Sequence, residues 1–152
     1  MAYREIIKRG DPILTKKSRA VENFDERLHI LLDDMRETLR LANGAGLAAV
    51  QVGVLRRAIL IETEETGLIE LINPVITGSE GEQDGTEGCL SVPDVYGYVV
   101  RPVSVTVQAQ DRYGKQFTLT ATDLAARAVC HEVEHLDGKL FTEKVTRYLE
   151  DE

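Results

Sequence analysis

The sequence predicts an α+β fold, with antiparallel or mixed sheets packed around a C-terminal helix. Three observations predict it. Apolar residues recur at helical spacing near the start of the chain and again near residues 122–136. Short β-branched segments lie between these two stretches. At least two of those segments are joined by a tight turn, which makes a hairpin and not the long crossover of a doubly wound parallel sheet.

The first helix is predicted over residues 25–41. Leu28, Leu32, Met35 and Leu39 recur at i, i+4, i+7 and i+11, which is one helical face. Asn23 followed by Glu26 resembles a capping box, and Asn43-Gly44 supplies the stop. His29 lies about 100° from Leu28 around the helix and reads as a surface histidine. Residues 58–61 form a short, apolar, branched segment that predicts a buried strand. Residues 68–72 predict another, ended by Pro74. Residues 78–88 are polar and glycine-rich and predict a loop. Val103, Val105, Val107 and Ala109 alternate with polar residues, as do Phe117, Leu119 and Ala121, around a turn at Asp111-Arg112-Tyr113-Gly114. Thr122 can cap a second helix running to about Leu136, with Gly138 just past its end.

A chain of 152 residues suits one domain with a real core, here taken as residues 1–152. The composition is that of a soluble globular protein: 43% hydrophobic and 29% charged. No apolar run approaches the ~20 residues of a membrane span. Met1-Ala2-Tyr3-Arg4-Glu5 lacks the apolar stretch of a secretion signal, so a cytoplasmic location is expected. The net charge of −8, with no cluster of Lys and Arg, argues against nucleic-acid binding. Two cysteines in a cytosolic chain rarely form a structural disulfide, and Cys130 reads as a small buried hydrophobe.

The chemistry centres on His131-Glu132-Val133-Glu134-His135 in the second helix. Histidines at i and i+4 share a face and can grip one metal ion. At about 100° per residue, His135 falls about 40° and Glu132 about 100° from His131, inside an arc with Leu124, Ala125, Ala128, Val129 and Leu136. Arg127, Cys130 and Glu134 fall on the other side. A carboxylate in an apolar arc is costly unless a bound cation and water compensate it. A third ligand is then needed. Downstream there is no histidine, and Glu143 and Glu150 are possible ligands but sit in an ordinary charged tail. Upstream, Cys89 sits among glycines in residues 85–91, and as thiolate it completes a Cys-His-His set with a fourth position open. Cys130 is the competing thiol, but it points away from the histidine face. Gly44 to Gln51 forms a third segment, in which small residues permit close backbone approach and Gln51 can donate to an oxyanion; a buried small-residue turn after the helix stop reads equally well.

Together these segments resemble the peptide deformylase family. Gly44–Gln51 is similar to G-x-G-L-A-A-x-Q, Glu87-Gly88-Cys89-Leu90-Ser91 to E-G-C-L-S, and His131–His135 to the family's H-E-x-x-H. Gly10–Leu14, Ile72-Asn73-Pro74 and Ser91-Val92-Pro93 extend the likeness over almost the whole chain in the family's order. The resemblance implies one divalent metal ion, Fe(II), with Zn, Ni or Co as replacements, held by Cys89, His131 and His135. It implies Glu132 as the acid–base, with Gln51 and the Leu90 N–H stabilising the oxyanion. Gly44, Ala45, Gly46 and Gly88 would align the peptide as an added strand, and Glu87 would pair with Arg101 to brace the site. The implied reaction removes the formyl group from the N-terminal methionine of nascent peptides, at the ribosome, by a monomeric enzyme. Three residues depart from the family pattern: Ala45 for Ile or Val, Cys130 for Gln, and Glu134 for Asp. Two rival readings are a general zinc peptidase, which would need a ligand other than Cys89, and a binding module with a structural metal. A structural site would close with a fourth protein ligand and would have no use for Glu132.

Overall fold

A computed structural model describes residues 2–149. After an N-terminal segment, helix α1 spans Glu26–Ala42. Its apolar stripe is buried as the spacing predicts, with Leu32, Met35 and Leu39 fully enclosed. The N-cap is Asp25, not Asn23: the Asp25 carboxylate accepts the Leu28 N–H at 3.2 Å, so a cap two residues further on replaces the expected capping box. Asn43 ends the helix in the left-handed region at φ 57°, as Asn tolerates. His29 is half-buried and less free than a surface histidine, with Nε2 2.9 Å from the Arg112 carbonyl and its ring edge-on to Tyr113.

Among the described residues, eight strands make two antiparallel sheets. The larger has the order β1-β2-β3-β6-β7, from Gly46–Ala48, Ala58–Thr63, Gly67–Glu80, Ser104–Gln110 and Gln116–Thr122. β2 is buried on both faces because α1 covers Ala58 and Leu60 while the second helix side covers Ile59 and Ile61. β3 does not stop at Pro74. Its register against β6 shifts between Ile72 and Val75, and this bulge absorbs a residue that cannot donate to the ladder. The β6–β7 hairpin forms as expected, its turn held by the Asp111 carboxylate accepting from Tyr113 and Lys115 N–H.

The smaller sheet has the order β4-β5-β8, from Gln83–Cys89, Val92–Arg101 and Arg147–Tyr148. The sequence predicts a loop over residues 78–88, but only Gly81 and Glu82 lie between strands. β4 was hidden because its inward side chains are not apolar. Glu87, the buried one, is held by ion pairs and not by a hydrophobic face.

Helix α2, Asp123–Leu136, lies between the two sheets. Thr122 precedes it, but its hydroxyl donates to Glu65 and does not cap the helix. Because both sides are covered, α2 is buried almost all round. Cys130 is buried, as expected of a small hydrophobe, and Arg127, placed off the apolar arc, is buried too, whereas Leu124 in the predicted apolar arc is 56% exposed. Among the described residues, no helix is long and apolar enough to cross a membrane.

Candidate active site

Three donors converge from two elements. His131 and His135 stand one turn apart on α2, and Cys89 is the last residue of β4, just before the Leu90-Ser91 turn. One ligand atom from each lies within 4.8 Å of the other two, and Cys89 Sγ is 3.2 Å from His135 Nε2. Cys130 does not join them. Burial raises its thiol pKa, which disfavours the thiolate that a ligand needs. Glu143 caps the Leu140 N–H instead, and Glu150 lies outside the described residues.

The ring of His131 is fixed from two directions. Its Nδ1 is 2.9 Å from Glu87 Oε1, and Phe141 stacks on it at 5.7 Å between centroids. A carboxylate only accepts, so Nδ1 carries a proton, and Nε2 is the ring nitrogen left to meet a cation. Glu87 is itself held by Arg101, whose Nε and Nη2 donate to its two oxygens at 2.8 and 2.9 Å. The expected Glu87–Arg101 pair is therefore present. Arg101 also reaches Glu134 at 2.7 Å, which the half-exposed Lys144 meets at 2.7 Å. The longer side chain at 134 thus links the helix to Arg101.

Glu132 projects beside the donors, 5% exposed, and its Oε1 makes no hydrogen bond among the described residues. It packs over Gly46: a Cβ there would lie 2.6 Å from Glu132 Oε2. Gly44 and Gly88 play similar parts, their missing side chains replaced by Leu90 and by the Tyr96 ring. Gly44, Ala45, Gly46 and Gly88 line one cavity of about 320 Å³ together with Gln51, Glu87, Leu90 and Glu132. Arg101 is not among the residues that line it. The Gln51 side chain is locked at both ends. Its Oε1 accepts from the Ala48 N–H at 2.9 Å, which orients Nε2 toward Ser91 Oγ at 3.0 Å and Cys89 Sγ at 3.6 Å.

Electrostatics separate the carboxylates. Burial pushes Glu132 up to about 7, reinforced by the charge of Glu87. Burial also acts to raise Glu87, but hydrogen bonds from Arg101 and His131 outweigh it and hold Glu87 down at about 2. Burial lowers His135 to about 3, with the charge of His131 adding to the effect. Burial opposes protonation of His131 too, yet Cys89, Glu132 and Glu87 together raise it well above its ordinary value. The cluster thus has one carboxylate fixed as an acceptor and another poised to exchange a proton near neutrality.

Sequence reasoning missed Arg127, which lines the cavity and donates to Glu87 Oε2 at 2.7 Å and to the Val99 carbonyl at 2.9 Å. A helical wheel sorts residues by one apolar arc and gives no signal for a cation buried against a second sheet.

The donor set fits a single cation. A thiol and two imidazoles come together, with Cys89 and His131 at the cavity wall and His135 behind it, and His135 Nδ1 and Glu132 Oε1 are buried without partners among the described residues. Comparisons with known proteins agree along the full chain. A sequence model of the polypeptide deformylase family matches residues 3–150. The peptide deformylase of Caldicellulosiruptor bescii is 57% identical over 152 residues, covering 100% of this chain and 91% of that protein. A crystal structure of a peptide deformylase from Legionella pneumophila superposes with a TM-score of 0.92 at 44% identity, covering 95% of this chain and 87% of that one. Peptide deformylase from Ehrlichia chaffeensis in complex with actinonin gives a TM-score of 0.92 at 36% identity, covering 96% and 90% of the two chains. A family match over nearly every residue and relatives above half identity leave one conclusion: the chain belongs to the polypeptide deformylase family.

Proposed function

We propose that Cys89, His131 and His135 hold one divalent cation, that Glu132 is the acid–base, and that Gln51 and the Leu90 N–H stabilise the oxyanion. The reaction is the family's: metal-dependent hydrolysis of the N-formyl group from the N-terminal methionine of new proteins, releasing formate. The observation that carries the assignment of roles is the unpartnered Glu132 carboxylate beside a converged thiol and two imidazoles.

A cation held there would polarise the formyl oxygen and make a water molecule more acidic. Glu132, with its pKa near 7, takes a proton from the attacking water and returns it to the leaving amine. The Gln51 amide, aimed beside Cys89 by the Ala48 N–H, donates to the developing oxyanion together with the Leu90 N–H. β1 and β4 are end strands of their sheets, and residues of both line the cavity. Their edges support a peptide bound as an added strand along Gly44–Gly46 and Gly88. Fe(II) is the cation we assign, with Zn, Ni or Co able to replace it, since thiolate and imidazole suit all four. We read residues 1–152 as one catalytic domain, working as a monomer in the cytoplasm on nascent chains at the ribosome. The net charge of −8 supports a role without nucleic-acid binding of its own.

The ligand assignment is tested with two variants prepared without oxygen. Cys89→Ser is expected to lose metal and formyl-Met-Ala hydrolysis, while Cys130→Ser keeps both. Metal retained by the first and lost by the second would reverse the assignment.

A further inference from the structure

Helix α2 carries both histidines, and the smaller sheet carries Cys89, so the metal centre exists only if these two bodies are held at one separation. Two arginines span the gap in opposite directions. Arg101 rises from β5 to Glu134 on α2. Arg127 descends from α2 to the sheet, where Nη1 donates to the Val99 carbonyl of β5 at 2.9 Å and approaches the Gly85 carbonyl of β4 at 3.4 Å. The two cross at Glu87 Oε2, reached by Arg101 Nε at 2.8 Å and Arg127 Nη1 at 2.7 Å. The sheet is shaped to admit the second guanidinium: a Cβ on Gly85 would stand 3.0 Å from Arg127 Nη2. A buried guanidinium is costly unless its donors are used, and here they are spent on both strands of the interface and on the carboxylate behind His131.

We propose that Arg127 is a positioning residue for the metal centre and the substrate cleft, fixing the β4 strand that bears Cys89 against the helix that bears His131 and His135. The inference rests on the ligand assignment above and extends it to a residue outside the family's three motifs. Planarity is essential to it. Nη1 meets the Glu87 carboxylate and the Val99 carbonyl while Nη2 reaches toward the Gln83 carbonyl at 3.5 Å, a spread that the single ammonium of a lysine does not cover. Since Arg127 also lines the cavity, its loss should disturb substrate binding as well as the ligands.

The test compares wild type, Arg127→Met and Arg127→Lys, each loaded with Co(II) alone and kept well below its melting temperature. The readouts are the Co(II) ligand-field spectrum, Co(II) affinity by chelator competition, and KM and kcat for formyl-Met-Ala. Both variants are expected to bind Co(II) about 10–100-fold more weakly, the range for residues that support metal ligands, with an altered spectrum and a raised KM. Folded variants that differ from wild type only in melting temperature would overturn the proposal, because that is what mere packing predicts. Should Arg127→Met fail to fold, Arg127→Lys decides alone, and a wild-type spectrum and affinity for it would overturn the proposal too. Wild type that binds Co(II) yet leaves formyl-Met-Ala intact would count against the proposed function and not against this inference, whose spectral and affinity readouts need no turnover.

Discussion

Glu132 is buried beside a glycine that leaves it room, and its pKa is pushed up to about 7 because burial penalises the charged form. A group so placed can hold a proton or release it near neutral pH, which is what two proton transfers in one turnover require. Glutamine at this position keeps the shape but can do neither. Glu132→Gln is therefore expected to bind metal as wild type does while losing roughly 10²–10⁴-fold in kcat. Elemental analysis beside single-substrate kinetics checks this, and a metal-loaded variant with near-normal turnover would remove Glu132 from the mechanism. The two histidines and this carboxylate were legible in the sequence because their spacing is local: i, i+1 and i+4 on one helix fix their relation before any tertiary contact is known. Cys89 and Gln51 lie on separate elements, and residue types alone left each with an alternative. Their 3.6 Å approach depends on β4 and the turn after β1 meeting across the cavity. Arg127 was not legible at all, since nothing in a helical wheel separates a cation facing solvent from one facing a second sheet.

At the scale of elements, patterning served where one face is apolar and failed where charge fills the interior. α1 and the β6–β7 hairpin carry regular hydrophobic periods and β2 a short apolar run, and all three formed as those patterns predict. β4 does not, because Gln83 to Cys89 is organised around the Glu87 network, and its glycines read as loop. Pro74 likewise suggested a strand end, where a bulge lets β3 continue. Cap positions moved by small shifts that residue types do not settle, as with Asp25 in place of Asn23. That shift has a measurable consequence. Asp25→Ala should cost about 1 kcal/mol of stability, the usual worth of an N-cap, and leave kcat and KM unchanged, since α1 approaches the site only through its C-terminal stop. Asn23→Ala should do much less, and urea unfolding of both variants distinguishes the two caps.

For the whole molecule, one helix between two sheets both builds the core and confines the chemistry. The buried ion pairs that join its layers make stability depend on pH. Glu87 is held down from 4.5 to about 2, so the folded state binds its proton less readily than the unfolded chain does. Its contribution, roughly 3 kcal/mol at 1.36 kcal/mol per pKa unit, is present above about pH 4.5 and is lost as pH falls toward 2. Wild type should therefore lose stability steeply on that limb, and Glu87→Gln should start less stable and decline less. Parallel acid limbs for the two would show that Glu87 is not the linked group. The central claim is that this cavity and its three donors serve deformylation and no broader peptidase activity. It is tested most directly by offering anaerobically prepared, Fe(II)-loaded protein three peptides: formyl-Met-Ala, acetyl-Met-Ala and unblocked Met-Ala. The account predicts formate release from the first, little or no deacylation of the second, and an intact peptide bond in the third. Cleavage of Met-Ala itself, or equal removal of acetyl and formyl groups, would contradict it.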